Sequence, residues 1–403
     1  MDQTYFRRGF GLGKDVEPVL EAEYRSALLE QIRAQGFAAE FDGLTIRLAE
    51  AFGFCYGVDR AVDYAYQARH KFPDRRIFLL GEIIHNPHVN ERLRERGVTF
   101  LYPTAPGRFD FATLGPDDVV ILPAFGVTLQ DFARLKEIGC VVVDTTCGSV
   151  LNVWKRVESY ARDGFTALIH GKVFHEETRA TASQVHTHAN GRYLVVRDMA
   201  EARLVCGYIE QAPASLTRDA FGDHFREKAS AGFDPDVDLV RIGVANQTTM
   251  LATESLAIAA EIGQSLERRY GRAALPDHFR SFDTICSATQ ERQDAVLALM
   301  RDPPDLMVVI GGYNSSNTNH LAHLCREYTP TYHIADAAGI DPAAGTIRHK
   351  PELAADAPEI VTAGWLPPGR VALGITAGAS TPNNKIGETI ERILATRGRD
   401  LPG

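Results

Sequence analysis

From Leu44 onward, short β-branched or leucine-rich runs alternate with helical patterns almost without a break, and this alternation predicts an α/β protein with mainly parallel sheets. Two further observations support that class. Three unlike segments each place a cysteine at a strand-to-helix turn, and several polar loops stand directly after strand patterns, at the edge where parallel α/β sheets bind ligands. The chain of 403 residues is long enough for two or three such units, because single cores stop growing at roughly 250–300 residues.

Residues 1–43 read as an N-terminal extension. Within it, Gly9-Phe10-Gly11-Leu12-Gly13-Lys14 resembles a phosphate loop only superficially: its spacing is wrong, no strand precedes it, and Asp15 stands where Ser or Thr is required. Leu20, Tyr24, Ala27, Leu28 and Ile32 predict one amphipathic helix over 19–35, with Gly36 as its C′ glycine. Strands are expected at 44–49, 77–80, 119–122, 140–144, 167–170, 193–196, 241–245, 306–310, 332–334 and 371–375. Helices are expected at 58–71, 129–138, 150–162, 253–270, 289–300 and 385–396. The cysteine-bearing turns fall near the seams of about three similar blocks, which gives boundaries of 44–147, 148–276 and 277–403, the last ending in the C-terminal helix. Residues 211–238, with Pro213 and Pro235, form an excursion in the second block, and residues 341–368, with five prolines, form another.

Composition narrows the function. A hydrophobic share of 45% and a charged share of 24% are those of an ordinary globular protein. The net charge of −9 argues against nucleic-acid binding, which usually needs a basic stripe, but leaves room for a phosphorylated small ligand. Six cysteines are too few and too irregularly spaced for a disulfide scaffold, and no secretory apolar region follows Met1-Asp2-Gln3. No apolar run approaches the roughly 20 residues of a membrane span, so a reducing, cytoplasmic setting is expected.

The cysteines divide by position. Cys140 begins a strand, and Cys206 and Cys325 sit in helical patterns, where a small apolar side chain packs as core. Cys55, in Gly53-Phe54-Cys55-Tyr56-Gly57, Cys147, in Asp144-Thr145-Thr146-Cys147, and Cys286, in Asp283-Thr284-Ile285-Cys286, stand just ahead of helices, where partial positive charge favours thiolate. Structural zinc prefers four ligands, often as C-x-x-C pairs, and no such pair exists. Three thiolates instead fit a 4Fe-4S cluster with one iron left open.

The polar loops are His170-Gly171 to Thr178, Gly311 to Asn319, Gly378 to Pro382, Asn246 to Thr249, and Glu82 to Pro87 with His85. A histidine two residues from a carboxylate, as in His175 and Glu177, suits acid–base work, although such a pair is more often a solvated loop. Runs of hydroxyls and amides after glycines are consistent with a cradle of neutral donors for a diphosphate; a helix cap alone needs only one or two of them. There is no G-x-G-x-x-G after a strand and so no nicotinamide or flavin fingerprint, which means that electrons must come from a separate protein.

Seven of these motifs, all but Glu82 to Pro87, in order from about Leu44 to Glu388, resemble the 4-hydroxy-3-methylbut-2-enyl diphosphate reductase family. The resemblance implies three similar α/β domains in a trefoil around a central 4Fe-4S cluster, one per chain, held by Cys55, Cys147 and Cys286. It implies a diphosphate resting on His85, His175, Ser315, Asn317 and Ser380 with Ser316 close by, Glu177 as proton donor, and Thr248 positioning the substrate's hydroxyl. The implied reaction is reductive dehydroxylation to isopentenyl and dimethylallyl diphosphate, the last step of the methylerythritol phosphate pathway, with an external one-electron donor protein such as ferredoxin or flavodoxin. Phe125 stands in Pro123-Ala124-Phe125-Gly126 where many bacterial members carry histidine, and the plastid and cyanobacterial branch shares that phenylalanine, the long excursion and the N-terminal extension. Gly148 follows Cys147 where proline is usual. Rival readings are a non-enzymatic iron–sulfur redox sensor, which explains the thiols but not the polar loops, and a metal-dependent phosphohydrolase.

Overall fold

The computed structural model describes residues 4–105, 107–351 and 357–398. Its contacts group the chain into two units, the first comprising Met1–Arg8, Asp74–Ile83 and Gly97–Cys286. This unit holds two wholly parallel sheets. One runs in the order Tyr5–Phe6, Val141–Asp144, Val119–Leu122, Ile77–Leu80, Val98–Leu101. Its three central strands are buried at every position, which is why they read as unbroken apolar runs rather than as alternation. The other sheet runs Phe279–Ser281, Ile242–Asn246, Thr166–His170, Tyr193–Val196.

The second unit comprises Gly9–Pro73, Ile84–Arg96 and Ser287–Gly403. Its sheet runs Thr331–Ile334, Leu306–Ile310, Val371–Ala377, Leu44–Leu48, Ala38–Phe41, parallel except for the last strand, which is antiparallel. Leu44–Leu48 alternates buried and partly buried residues and packs Leu44, Ile46 and Leu48 into the core formed with Leu306, Val308, Leu373, Ile375 and Ile390. A small antiparallel sheet of Ile340–Asp341, Thr346–His349 and Ile360–Ala363 completes the unit.

The sequence-ordered boundaries cut the chain where the sheets do not. Leu44–Leu48, expected to open the first block, pairs with Val371–Ala377 near the other end of the chain, and Phe279–Ser281, placed in the third block, joins the sheet of the second. Hydrophobic burial, which is non-directional, selects these partners, and strand propensity is silent about them. The 19–35 helix is two helices, Gly13–Tyr24 and Ala27–Ala34. Arg25 is extended, and the Ser26 side chain accepts the Leu29 N–H as an N-cap, so the second helix has its own start. Gly36 does lie in the left-handed region, at φ 81°.

The described part of the extension is built into the fold. Tyr5 and Phe6 pair with Val142 and Val143, while the Phe10 and Leu12 N–H groups of the glycine-rich stretch both donate to Gln67 Oε1, at 2.9 and 3.3 Å. Those glycines serve close packing: a Cβ on Gly9 would lie 2.7 Å from the Tyr64 ring. The 211–238 excursion also folds, with helices Arg218–Phe225 and Pro235–Asp238, and Lys228 and Ser230 hydrogen-bond the edge strand Tyr193–Val196.

Candidate active site

In the second unit, three adjacent parallel strands end side by side and deliver three of the expected motifs. Leu306–Ile310 runs into Gly311–Ser315, Val371–Ala377 into Gly378–Pro382, and Leu44–Leu48 toward Cys55. The loops are bound to one another. Asn317 Oδ1 accepts the Ala379 N–H at 3.0 Å, the Ala379 carbonyl accepts the Cys55 N–H at 3.3 Å, and Ser380 Oγ donates to the His85 carbonyl at 3.2 Å. Such closeness needs glycine: a Cβ on Gly378 would lie 1.9 Å from Thr318 Oγ1. Cys55, His85, Asn317 and Ser380 are thereby brought into one loop cluster.

Two of these side chains are oriented by their partners. The Asn314 amide donates to His85 Nδ1 at 3.3 Å, so a neutral His85 carries its proton on Nε2. With its carbonyl oxygen engaged by Ala379, Asn317 is 2% exposed and leaves Nδ2 buried without a hydrogen-bond partner among the described residues. A buried donor left unmet costs about 1–3 kcal/mol, a cost that a ligand or a water at this nitrogen would relieve. Ser315 caps the helix Ser316–Arg326 by accepting the Thr318 N–H, and Ser316 and Asn317 occupy its buried first turn, where the helix end favours anions.

In the first unit, Thr166–His170 and Ile242–Asn246 are neighbours, and their exits carry His175, Glu177 and Thr248. Glu177 is 1% exposed, and Thr248 holds both its oxygens: the backbone N–H donates to Oε1 at 2.6 Å and the hydroxyl to Oε2 at 3.0 Å. Glu176, beside it, is exposed. The Glu177 N–H donates to His175 Nδ1 at 3.1 Å, so a neutral His175 likewise presents Nε2–H. Phe125 sets its ring edge-on to His175, with centroids 5.5 Å apart. An apolar ring at this position packs the imidazole instead of adding a donor.

The remaining two thiols of interest also lie in this unit. Cys147 is the N-cap of Gly148–Arg162 and donates its N–H to the Ala124 carbonyl at 3.0 Å. Cys286 precedes Ser287–Leu299 and donates its N–H to the Thr248 carbonyl at 3.3 Å, which ties this thiol's backbone to the partner of Glu177. Gly148 begins its helix as the usual proline would, and a Cβ there would meet nothing.

Cys55, Cys147 and Cys286 are all partly exposed, whereas Cys140, Cys206 and Cys325 are buried. Burial pushes the thiol pKa up to about 11 for Cys140 and Cys206 and to about 12 for Cys325, which keeps these three protonated and inert. Three accessible thiols at helix starts fit the donor set of a thiolate-ligated group.

Sequence reasoning left out Asn314, which orients His85, and Gln247, whose Oε1 accepts both the Lys172 N–H and the Thr178 hydroxyl at 3.0 Å. It also left out Arg292, which is 4% exposed and donates to the Gly53 carbonyl at 2.6 Å. The motifs containing Asn314 and Gln247 were visible, but a bond to a residue many positions away leaves no local signal.

Buried acid, donor-rich loops and accessible thiols, all at the carboxyl ends of parallel strands, define an α/β enzyme acting on a small polar ligand. The chain belongs to the LytB protein family, which it matches over residues 46–394. It is 50% identical over 396 residues to the 4-hydroxy-3-methylbut-2-enyl diphosphate reductase of Thermosynechococcus vestitus, covering 98% of this chain and 95% of that one. To the protein of the same name from Gloeobacter violaceus it is 50% identical over 400 residues, covering 98% and 93%. A solved structure of (E)-4-hydroxy-3-methyl-but-2-enyl diphosphate reductase, described as the terminal enzyme of the non-mevalonate pathway, matches with a TM-score of 0.52 at 26% identity, over 87% of this chain and 98% of that one. The Plasmodium falciparum E-1-hydroxy-2-methyl-but-2-enyl-4-diphosphate reductase shares the fold, with a TM-score of 0.61 at 19% identity over 88% and 89%. The α/β class and the family expected from the motifs are both borne out.

Proposed function

We propose that this chain catalyses the reductive dehydroxylation of 4-hydroxy-3-methylbut-2-enyl diphosphate to isopentenyl and dimethylallyl diphosphate, the last step of the methylerythritol phosphate pathway. The observation that carries the reading is the grip of Thr248 on both oxygens of buried Glu177. The reaction breaks one C–O bond and consumes two electrons and two protons, releasing water. Glu177 supplies the proton to the departing oxygen, and the Thr248 hydroxyl, which donates to Glu177, keeps lone pairs with which to accept from the substrate's alcohol. Nε2–H of His85 and His175, the Asn317 amide, and Ser315, Ser316 and Ser380 bind and orient the diphosphate.

Cys55, Cys147 and Cys286 would hold a single 4Fe-4S cluster. When bound, it supplies electrons one at a time and a Lewis-acidic iron toward the hydroxyl. Electrons come from an external carrier protein such as ferredoxin or flavodoxin, because the chain carries no nicotinamide or flavin fingerprint of its own. The enzyme works in the cytoplasm; among the described residues no helix is long and apolar enough to cross a membrane. A redox sensor would have no use for a buried carboxylate with both oxygens held, or for loops of neutral donors after other strands.

The test is anaerobic purification, an iron and sulfide count, and addition of the hydroxylated diphosphate with a chemical reductant. Both isoprenoid diphosphates are the expected products. Inorganic phosphate release, or an iron-containing protein with no turnover, would overturn the assignment.

A further inference from the structure

The last residues of helix Gly13–Tyr24 belong to a network that ends at the Cys55 turn. The Tyr66 hydroxyl donates to Glu23 Oε2 at 2.5 Å. Its single proton is thereby committed, so in the 2.8 Å contact between the Tyr24 and Tyr66 hydroxyls Tyr24 is the donor. Arg96 completes the network by donating to the other Glu23 oxygen, and its guanidinium lies 4.7 Å from the centroid of the Tyr66 ring. Tyr24 is 6% exposed and is closed in by three rings: Tyr66 at 6.1 Å, His88 at 6.1 Å and Phe54 at 5.6 Å. Phe54 immediately precedes Cys55. The backbone of the same turn is held by Arg292 on the Gly53 carbonyl and by the Cys55 N–H on Ala379.

From this arrangement we infer that Tyr24, locked by Tyr66, Glu23 and Arg96, is a positioning residue for the Cys55 thiol, acting through the Phe54 ring. Buried polar partners of this kind are expected where a ligating side chain must be held in one orientation. The helical part of the N-terminal extension is on this argument a component of the metal-ligand scaffold. The inference rests on the cluster reading proposed above.

The test measures iron release from the full-length holoprotein to a chelator under anaerobic conditions, followed by loss of cluster absorbance, together with the melting temperature. Tyr24→Ala is expected to release iron roughly tenfold to a hundredfold faster, taking as a guide the range by which loss of an outer-shell partner weakens metal affinity. Tyr24→Phe, which keeps the ring, and Glu23→Gln, which loosens the lock, should fall between it and wild type. Ile340→Ala, in the small antiparallel sheet of the same unit, serves as a control for lost stability. If it lowers the melting temperature as much as Tyr24→Ala and speeds release equally, the effect is general destabilisation and the inference is overturned. Release from Tyr24→Ala at the wild-type rate overturns it as well. A wild-type protein that binds no iron would overturn the cluster reading itself, an outcome distinguishable from either.

Discussion

The two polar clusters of this protein are built on opposite plans. Around Glu177 the hydrogen-bonding is closed: Thr248 occupies both carboxylate oxygens, and the His175 Nδ1 is taken by the Glu177 N–H. Around Asn317 it is left open: the carbonyl oxygen is engaged, yet the amide nitrogen is buried without a partner among the described residues. A group that must deliver a proton at one place has to be held rigidly, and a cradle for an anion has to keep donors in reserve. On the function proposed above, the first arrangement serves the orientation of the acid and the second the affinity for the diphosphate.

The sharpest challenge to this comparison comes from the thiols, which occur in both regions. Cys55→Ser, Cys147→Ser and Cys286→Ser should each abolish the cluster, whereas Cys140→Ser, Cys206→Ser and Cys325→Ser should leave iron per chain unchanged where the protein folds. A normal cluster spectrum in any of the first three removes that residue from the ligand set.

Next in size is the closed region. Glu177→Gln fits the same pocket, with its oxygen toward the Thr248 N–H and its amide toward the Thr248 hydroxyl, but cannot donate the proton. Steady-state turnover should fall by roughly 10²–10⁴ with unaltered iron content. Turnover within a few fold of wild type would mean that the acid is another group.

Behind each region a buried histidine should behave alike. His170 bonds Ser255 Oγ at 2.8 Å, and His333 donates to the Gly311 carbonyl at 3.0 Å; burial pulls both down to about 4. An unfolded histidine titrates near 6.5, so between pH 6.5 and 4 the unfolded chain takes up protons that the folded chain refuses. Stability is therefore full above about pH 6.5 and declines as the pH falls toward 4, by on the order of 3 kcal/mol for each histidine. Melting temperatures across this range should fall less steeply in His170→Gln and His333→Gln; an unchanged slope would show that other groups carry the acid sensitivity.

The open region gives smaller effects. Asn317→Ala should raise the substrate dissociation constant at least about tenfold, equivalent to 1.4 kcal/mol, when the cluster spectrum is titrated. Ser380→Ala should cost less, about threefold to tenfold, because its hydroxyl must give up its hydrogen bond to the His85 carbonyl to bind the diphosphate. The reverse ranking would mean that the unpartnered amide does not face the diphosphate. Phe125→His is expected to leave affinity within about twofold, since the ring packs on His175 and a new imidazole there lacks supporting hydrogen bonds.

What was legible in the sequence was whatever depends on neighbours along the chain. Unbroken apolar runs announced buried parallel strands, and the place of Cys55, Cys147 and Cys286 just ahead of helices separated them from Cys140, Cys206 and Cys325, a division that their exposure repeats. The loops carrying His175, Glu177, Thr248, Ser315, Asn317 and Ser380 were marked by their position after strands. Tertiary structure alone decided which strands share a sheet: Leu44–Leu48 lies against Val371–Ala377, and Tyr5–Phe6 against Val141–Asp144. It alone decided which of Asn317's two amide atoms is used within the fold and which is left unpartnered among the described residues, and it turned a glycine-rich stretch with the look of a phosphate loop into packing against Gln67 and Tyr64. The physical reason is the same in each case. Periodicity and turn chemistry act over a few residues, so one sequence segment contains them, whereas apolar burial is non-directional and a hydrogen-bond partner can lie hundreds of residues away, so that choice exists only once the chain has folded.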